Sequence, residues 1–132
     1  MLLSRLGRSK AELAALLAGR FGYDCSTPFA TWRQSIDFAT TNPGIVTTAF
    51  AAFFASTDFE DALRNAVSLG GNTNARAAIT GAIAEPFYGG VADPIVVESV
   101  GRLDEPLRLA LAAFMAMYLK ADGSTSGSDP TI

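Results

Sequence analysis

Apolar residues recur at helical spacing along this chain, and residues that favour helix ends separate the apolar segments. Ser9 and Glu12 have the spacing of a capping box and precede the apolar positions Leu13 and Leu17. A capping box satisfies free backbone amides where a helix starts. The pattern therefore predicts a first helix that ends near residues 19–22.

Two further helices are predicted between residues 42 and 71. Asn42 followed by Pro43 suits a helix start. The apolar residues that follow cover most of the helix circumference and are Ile45, Val46, Ala49, Phe50, Phe53 and Phe54. Such a helix must be buried nearly all round. Thr57 and Glu60 form a second capping-box pair, and the helix after them stops at residues 70–71, which are both glycine.

A helix is also predicted beyond the glycine pair, capped by Asn72 or Asn74 and running to about Phe87. Pro86 should bend or end this helix. Small residues on one face would let another backbone approach closely. They are Ala78, Gly81 and Ala82.

The last two predicted helices begin at Asp93-Pro94 and after Asp104. No segment alternates like a strand over a useful length, so the sequence predicts an all-α fold with one compact helical domain over residues 1–120. Residues 121–132 are rich in Gly and Ser, which predicts a disordered tail. The connector over residues 22–41 has no dominant period and yields no prediction.

Composition narrows the classes of function. Hydrophobic residues make up 49% of the chain and charged residues 17%, against roughly 25% charged in a typical soluble domain. Part of the surface is therefore expected to be apolar. The net charge of -3, with ten scattered Lys and Arg, argues against nucleic-acid binding.

Histidine is absent and Cys25 is the only cysteine. These facts exclude a Ser-His-Asp triad, a Cys-His pair and a zinc site with His ligands. No apolar export segment follows Met1, which predicts a cytoplasmic protein. The uncharged run at residues 38–57 is interrupted by Asn42-Pro43-Gly44, so we interpret it as a core helix rather than a membrane span.

The most distinctive motif is Ser68-Leu69-Gly70-Gly71-Asn72-Thr73-Asn74-Ala75. It resembles the Gly-Gly-Asp-x-Asp-Thr metal loop of the ADP-ribosylglycohydrolases, and residues 56–71 and 77–90 continue that family's pattern. The resemblance implies an all-helical fold like the C-terminal half of the family's fold. It also implies two magnesium ions in a central cleft and hydrolysis of the bond that joins ADP-ribose to its acceptor.

The loop departs from the family at the positions that would hold metal. Asn72 and Asn74 stand at the family's aspartate positions, and Ala75 stands at that of its threonine. The family's other ligands, a Thr-Asp-Asp cluster and an N-terminal acidic residue, have no counterpart in this sequence. Because magnesium is normally held by carboxylates, we expect poor magnesium binding, no bound cofactor, and no catalytic or metal-ligating residue.

Two interpretations of residues 70–75 remain open. The first is a helix stop followed by a helix start, since glycine and asparagine both suit helix ends. The second is an anion site for a nucleotide-like ligand, since free amides and the helix dipole attract phosphate. The candidate ligand-binding residues are Gly70, Gly71, Asn72, Thr73, Asn74 and Arg76.

Other candidate residues have simpler interpretations. Asp58, Glu60 and Asp61 suit the first turn of a helix, where acids complement the dipole. Cys25 has no neighbouring base and is expected to be a buried or half-buried thiol. The aromatic residues are interpreted mainly as core, with part of them available for an interface. They are Phe50, Phe53, Phe54, Phe87, Tyr88 and Phe114.

These observations leave two classes of function. The first is a non-catalytic helical module that associates with itself, a protein or a nucleotide-like ligand. For this class we expect a homodimer or higher even oligomer, because a two-fold contact needs only one self-complementary apolar patch. The second is a magnesium-dependent hydrolase of the family's kind, completed by a partner subunit or by Asp24, Asp37 or Asp61.

Overall fold

The structure, a computed structural model, describes residues 7–35 and 42–118, and this part of the chain contains helices and no strand. The all-α prediction is confirmed. In chain order the helices are α1 (Lys10–Phe21), α2 (Phe29–Ser35), α3 (Asn42–Phe54), α4 (Phe59–Ser68), α5 (Thr73–Tyr88), α6 (Asp93–Gly101) and α7 (Glu105–Tyr118).

Helix α1 has the ends that its sequence predicts. The Ser9 side chain accepts a hydrogen bond from the Glu12 N–H, and the Glu12 carboxylate accepts one from the Ser9 N–H at 2.8 Å. At the other end, Gly22 adopts the left-handed conformation at φ 70° and donates its N–H to the Ala18 carbonyl. Both helix ends are therefore set by residues close in sequence.

The start of α4 differs from the predicted capping box. Asp58, not Thr57, is the N-cap, and its carboxylate accepts the Asp61 N–H at 2.8 Å. Asp61 reaches back to the Thr57 N–H at 2.9 Å, while Glu60 pairs with Arg64 one turn later. The prediction was wrong by one residue because Asp is as good a cap as Thr, and both precede this helix.

Helices α3, α4 and α5 pack against one another. None of residues 44–54 is exposed, which confirms the prediction of burial all round. A shared apolar cluster includes Phe53 of α3, Ala62 of α4, Ala84 of α5 and Leu13 of α1. Leu13 is the one buried residue of α1.

Helix α5 begins after Asn72, whose side chain accepts the Ala75 N–H at 3.2 Å. Asn72 rather than Asn74 is therefore the cap. Pro86 lies inside the helix, which continues for two residues to Tyr88. Close packing occurs at Gly81, where a Cβ would lie 3.3 Å from Leu63 Cδ2, but the neighbour is a side chain of α4 and not the predicted backbone.

Two features of the fold were not predicted. Ala78 is exposed rather than part of the packed face of α5, and the buried residues of that helix are Arg76, Thr80 and Ala84. Helix α2 lies in the connector that yielded no prediction, directly after Thr27-Pro28. A hydroxyl residue followed by proline is a helix-start signal, and it could have revealed α2.

The chain divides into two units, Met1–Ala92 and Asp93–Ile132. In the second unit, α6 and α7 begin as predicted, and Asp104 accepts the Leu107 N–H at 3.1 Å. Neither helix contains a buried residue. Phe114, which was interpreted mainly as core, is 56% exposed. Phe114 is therefore not part of the core, which the interpretation allowed for some of these aromatic residues, and an interface there stays a prediction.

No described helix has both the length and the apolar character needed to cross a membrane. The prediction of one domain over residues 1–120 stays a prediction. The predicted tail, residues 121–132, lies outside the described residues.

Candidate functional site

The loop between α4 and α5 is a tight turn built on two left-handed glycines. Gly70 has φ 71° and Gly71 has φ 65°, values that L side chains rarely adopt. The Gly70 N–H donates to the Val67 carbonyl at 3.1 Å, and the Thr73 N–H donates to the Gly71 carbonyl at 2.9 Å. The glycines thus end one helix and bring the chain directly into the next.

The polar side chains of the loop lie on its outer side. Asn72 and Asn74 are exposed, and Thr73 is half-buried. The Asn72 side-chain oxygen is already used to cap α5. In the first turn of α5, the Asn74 N–H has no acceptor among the described residues. The loop therefore presents neutral amide groups to solvent.

Arg76 lies under this loop and not on its surface. The residue is 0% exposed, although arginine is almost never fully buried without a partner of opposite charge. Its Nε donates to Thr48 Oγ1 at 2.9 Å, and its Nη1 donates to the Gly70 carbonyl at 2.6 Å and the Ala66 carbonyl at 3.4 Å. The guanidinium therefore ties α3, the end of α4 and the glycine turn together.

The charge of Arg76 has no neutralising partner among the described residues, whose ion pairs join Arg8, Arg64 and Arg102 to glutamates one turn away. Its Nη2 is buried and has no hydrogen-bond partner. Burial lowers the pKa of Arg76 from its usual value. An arginine stays protonated despite such a shift, so the loop rests on an uncompensated positive charge.

This geometry bears on both interpretations of the loop. The helix stop and helix start are present, with Gly70, Gly71 and Asn72 in those roles. An anion on the outer side of the loop would not touch the Arg76 guanidinium in this conformation, because the side chain is fully enclosed. The proposed anion site thus stays a prediction and requires the turn to move.

The groups of the loop that could coordinate a metal are not the ligands that magnesium prefers. The outer positions supply two neutral amides and the Ala75 methyl group, and the Gly70 carbonyl beneath them already accepts from a cation of the chain. Magnesium prefers carboxylate oxygens and keeps much of its water. A fixed positive charge under the loop adds repulsion. No group of three His, Cys, Asp or Glu suited to a metal occurs among the described residues.

The carboxylates considered as substitutes are committed to local hydrogen bonds. Asp24 accepts from the backbone and hydroxyl groups of Ser26 and Thr27, and these bonds lower its pKa, with the Thr27 hydroxyl contributing most. Asp61 accepts from Thr57 at the start of α4. Asp37 lies outside the described residues. Asp24 and Asp61 therefore stabilise the local backbone.

Cys25 is half-buried, as predicted. Burial raises the pKa of its thiol, and the neighbouring Asp24 charge adds to the effect. A raised pKa lowers the thiolate fraction at neutral pH, which is opposite to the activation of a nucleophilic cysteine.

A second charged group, Lys10, occupies a site that was not predicted. Its Nζ donates to the carbonyls of Phe53 at 2.9 Å, Phe54 at 3.3 Å and Ser56. The same nitrogen lies 5.0 to 5.7 Å from three ring centroids, those of Phe53, Phe87 and Tyr88. Carbonyls at the end of α3 and aromatic faces both attract a cation. Lys10 thereby fastens α1 to the aromatic cluster.

The comparisons with known proteins agree with the motif. A family model described as ADP-ribosylglycohydrolase matches residues 4–122, a span that contains the glycine turn and all seven described helices. No curated protein and no solved structure matches the chain.

Proposed function

Because the chain belongs to the ADP-ribosylglycohydrolase family, we propose that it is a non-catalytic member whose loop has exchanged a metal site for an internal cation. The observation that carries this proposal is the Arg76 guanidinium, fully buried and 2.6 Å from the Gly70 carbonyl. A unit charge and a divalent ion 8 Å apart repel by about 1 kcal/mol even in water. The repulsion is larger inside a protein.

The loop side chains support the same proposal. Asn72 and Asn74 are neutral where the family has carboxylates, and Asn72 Oδ1 is bound to the Ala75 N–H. A neutral amide attracts a divalent cation far less than a carboxylate does. The loop side chains therefore attract magnesium less than carboxylates would, and the Arg76 guanidinium beneath the loop repels it.

Magnesium titrations test this proposal. Calorimetry of the wild type should give no binding heat at millimolar magnesium. A variant carrying Asn72→Asp, Asn74→Asp and Ala75→Thr should bind weakly, and adding Arg76→Met should tighten binding about fivefold or more by removing the repulsion. Equal affinities with and without Arg76→Met would show that the guanidinium does not exclude the metal.

An activity assay tests the same proposal directly. The wild type should release no ADP-ribose from an ADP-ribosylated side chain above the buffer rate, with or without magnesium. Magnesium-dependent release would overturn the proposal. If Asp24→Asn or Asp61→Asn then abolished that release, the alternative of an enzyme with substitute carboxylates would be established.

We also propose that the chain acts by associating with a second copy through helix α7. The large exposed apolar side chains of this helix are Leu107, Leu109, Phe114, Met115, Met117 and Tyr118. No charged residue lies between Leu109 and Tyr118. Exposed apolar patches of this kind mark interaction surfaces, and a two-fold contact uses one patch twice.

The charges of α7 favour an antiparallel contact. Asp104, Glu105 and Arg108 all lie at its N-terminal end. In an antiparallel pair, the apolar segments of the two copies overlap and their charged ends lie apart in solvent. In a parallel pair, like charges would lie side by side at a cost.

Light scattering at micromolar concentration tests the association. The wild type should have twice the mass of one chain, and Phe114→Glu should weaken the dimer at least about tenfold because a carboxylate would be buried in the contact. Phe21→Glu is the matched control, since Phe21 is an exposed aromatic residue of another helix, and it should leave the dimer intact. A monomeric wild type, or a dimer unaffected by Phe114→Glu, would contradict the proposal.

A further inference from the structure

The Arg76 guanidinium has unused capacity to bind an anion. Nε and Nη1 donate to three oxygens of the chain, while Nη2 is buried without a partner. All three acceptors, on Thr48, Gly70 and Ala66, are neutral. The buried side chain therefore carries two unused N–H donors and a full positive charge.

A bound anion would both pair with the positive charge of Arg76 and accept hydrogen bonds from its unused N–H donors. A buried charge is costly unless it is paired with an opposite charge, and an unsatisfied buried donor adds to that cost. Hydrogen bonds from a guanidinium to a phosphate or carboxylate are about twice as strong as those between neutral groups. The free energy that the unpaired charge and the unsatisfied donors cost the free protein would be recovered when an anion binds, and this favours binding.

The glycine turn lies next to Nη2 and is itself partly exposed to solvent. A Cβ placed on Gly71 would lie 4.0 Å from Nη2, and one placed on Gly70 would meet nothing within 4 Å. No side chain of the turn therefore blocks the path. Glycines accept φ of either sign, so the peptide between them can rotate and turn its carbonyl away from Nη1.

Rotation of that peptide would also supply further donors. The Gly71 N–H would turn towards the place that the Gly70 carbonyl now occupies, and successive N–H groups in such turns form anion-binding nests. The Asn74 N–H, in the first turn of α5, has no acceptor among the residues that the structure describes. This helix has 16 residues, and its dipole favours negative charge at the N-terminal end.

We propose that the Gly70–Gly71 turn opens to admit a phosphate group, which replaces the Gly70 carbonyl at Arg76 Nη1 and binds Nη2. The ligand class is a phosphate dianion, either free or as a phosphomonoester. Phosphate is favoured over a carboxylate because the guanidinium and the helix end together offer more donors than two carboxylate oxygens accept. The inference rests on the proposed function only in requiring that no metal occupies the loop.

Thermal unfolding in inorganic phosphate, with KCl holding ionic strength constant, tests the proposal. The midpoint for the wild type should rise saturably by about 5 °C or more. Arg76→Met, which keeps much of the volume but loses the charge, should abolish the rise, whereas Arg64→Met on exposed Arg64 should keep it. Stronger binding of AMP than of phosphate would identify a phosphomonoester as the ligand. Equal binding would identify free phosphate.

A second measurement covers the case in which Arg76→Met does not fold. In amide NMR spectra of the wild type, phosphate should shift the signals of Gly70, Gly71 and Asn74 selectively. Absence of these shifts, or a thermal rise that persists in Arg76→Met, would overturn the proposal. Such a failure would leave the magnesium titrations unaffected, so the two proposals can fail separately.

Discussion

Replacing Phe53 with alanine is expected to lower the free energy of unfolding by about 4 kcal/mol. Phe53 is 0% exposed, and its ring contacts those of Phe54, Phe87 and Tyr88. The substitution would leave a cavity at the centre of the cluster that α1, α3, α4 and α5 share. It would also remove one of the three rings that surround Lys10 Nζ.

Urea denaturation followed by far-UV circular dichroism measures this loss. Phe21→Ala is the matched control, because Phe21 is 59% exposed at the end of α1, and it should change stability by less than about 0.5 kcal/mol. Similar losses for the two variants would mean that Phe53 does not hold the described helices together.

Replacing Arg76 with alanine is expected to cost about 3 kcal/mol of stability. The change leaves a cavity under the loop and removes the donors that satisfy the carbonyls of Ala66 and Gly70. The contact between α5 and Thr48 of α3 is lost as well. A gain from removing an uncompensated charge offsets part of this cost, so Arg76→Met should cost less than Arg76→Ala.

The same denaturation experiment separates a buried arginine from an exposed one. Arg64 of α4 forms a surface pair with Glu60 and its side chain is 75% exposed. Arg64→Ala should therefore change stability by no more than about 0.5 kcal/mol. If Arg76→Ala were as mild as Arg64→Ala, Arg76 would not be buried as described.

Helix ends were predictable from the sequence because the groups that form them are neighbours in the chain. Ser9 with Glu12, Asn72 with the Ala75 N–H, and Asp104 with the Leu107 N–H each span three residues. Physical rules of capping therefore apply without knowledge of the fold. The error at Thr57 arose where two capping residues are adjacent.

Arg76 and Lys10 could not be placed in this way, because their partners are distant in sequence. Arg76 reaches Thr48 across 28 residues, and Lys10 reaches the Phe53 carbonyl across 43. The residues next to Arg76 and Lys10 in the sequence do not indicate that either side chain is buried. A charged residue in the first turn of an amphipathic helix ordinarily points to solvent, so only the packing of α3 against its neighbours decides otherwise.

The loop was identified from the sequence, but its inner side was not. The sequence places Asn72 and Asn74 where carboxylates would be expected, and this describes only what the loop offers to solvent. The charge beneath it comes from Arg76, which the sequence analysis names only as a candidate ligand-binding residue of an anion site. Its enclosed position could not be read from the sequence, since the guanidinium donates to the Gly70 carbonyl and does not face solvent.

The aromatic site around Lys10 is already occupied by a side chain of the same molecule. Three rings and three carbonyls would suit an amine from solution. The chain, however, supplies its own occupant on a tether, and a tethered ligand has an effective concentration of about millimolar or higher. Free amines at lower concentration cannot displace Lys10. Whether Lys10 occupies the site therefore depends on whether α1 is packed against the aromatic cluster, and not on which amines are in solution.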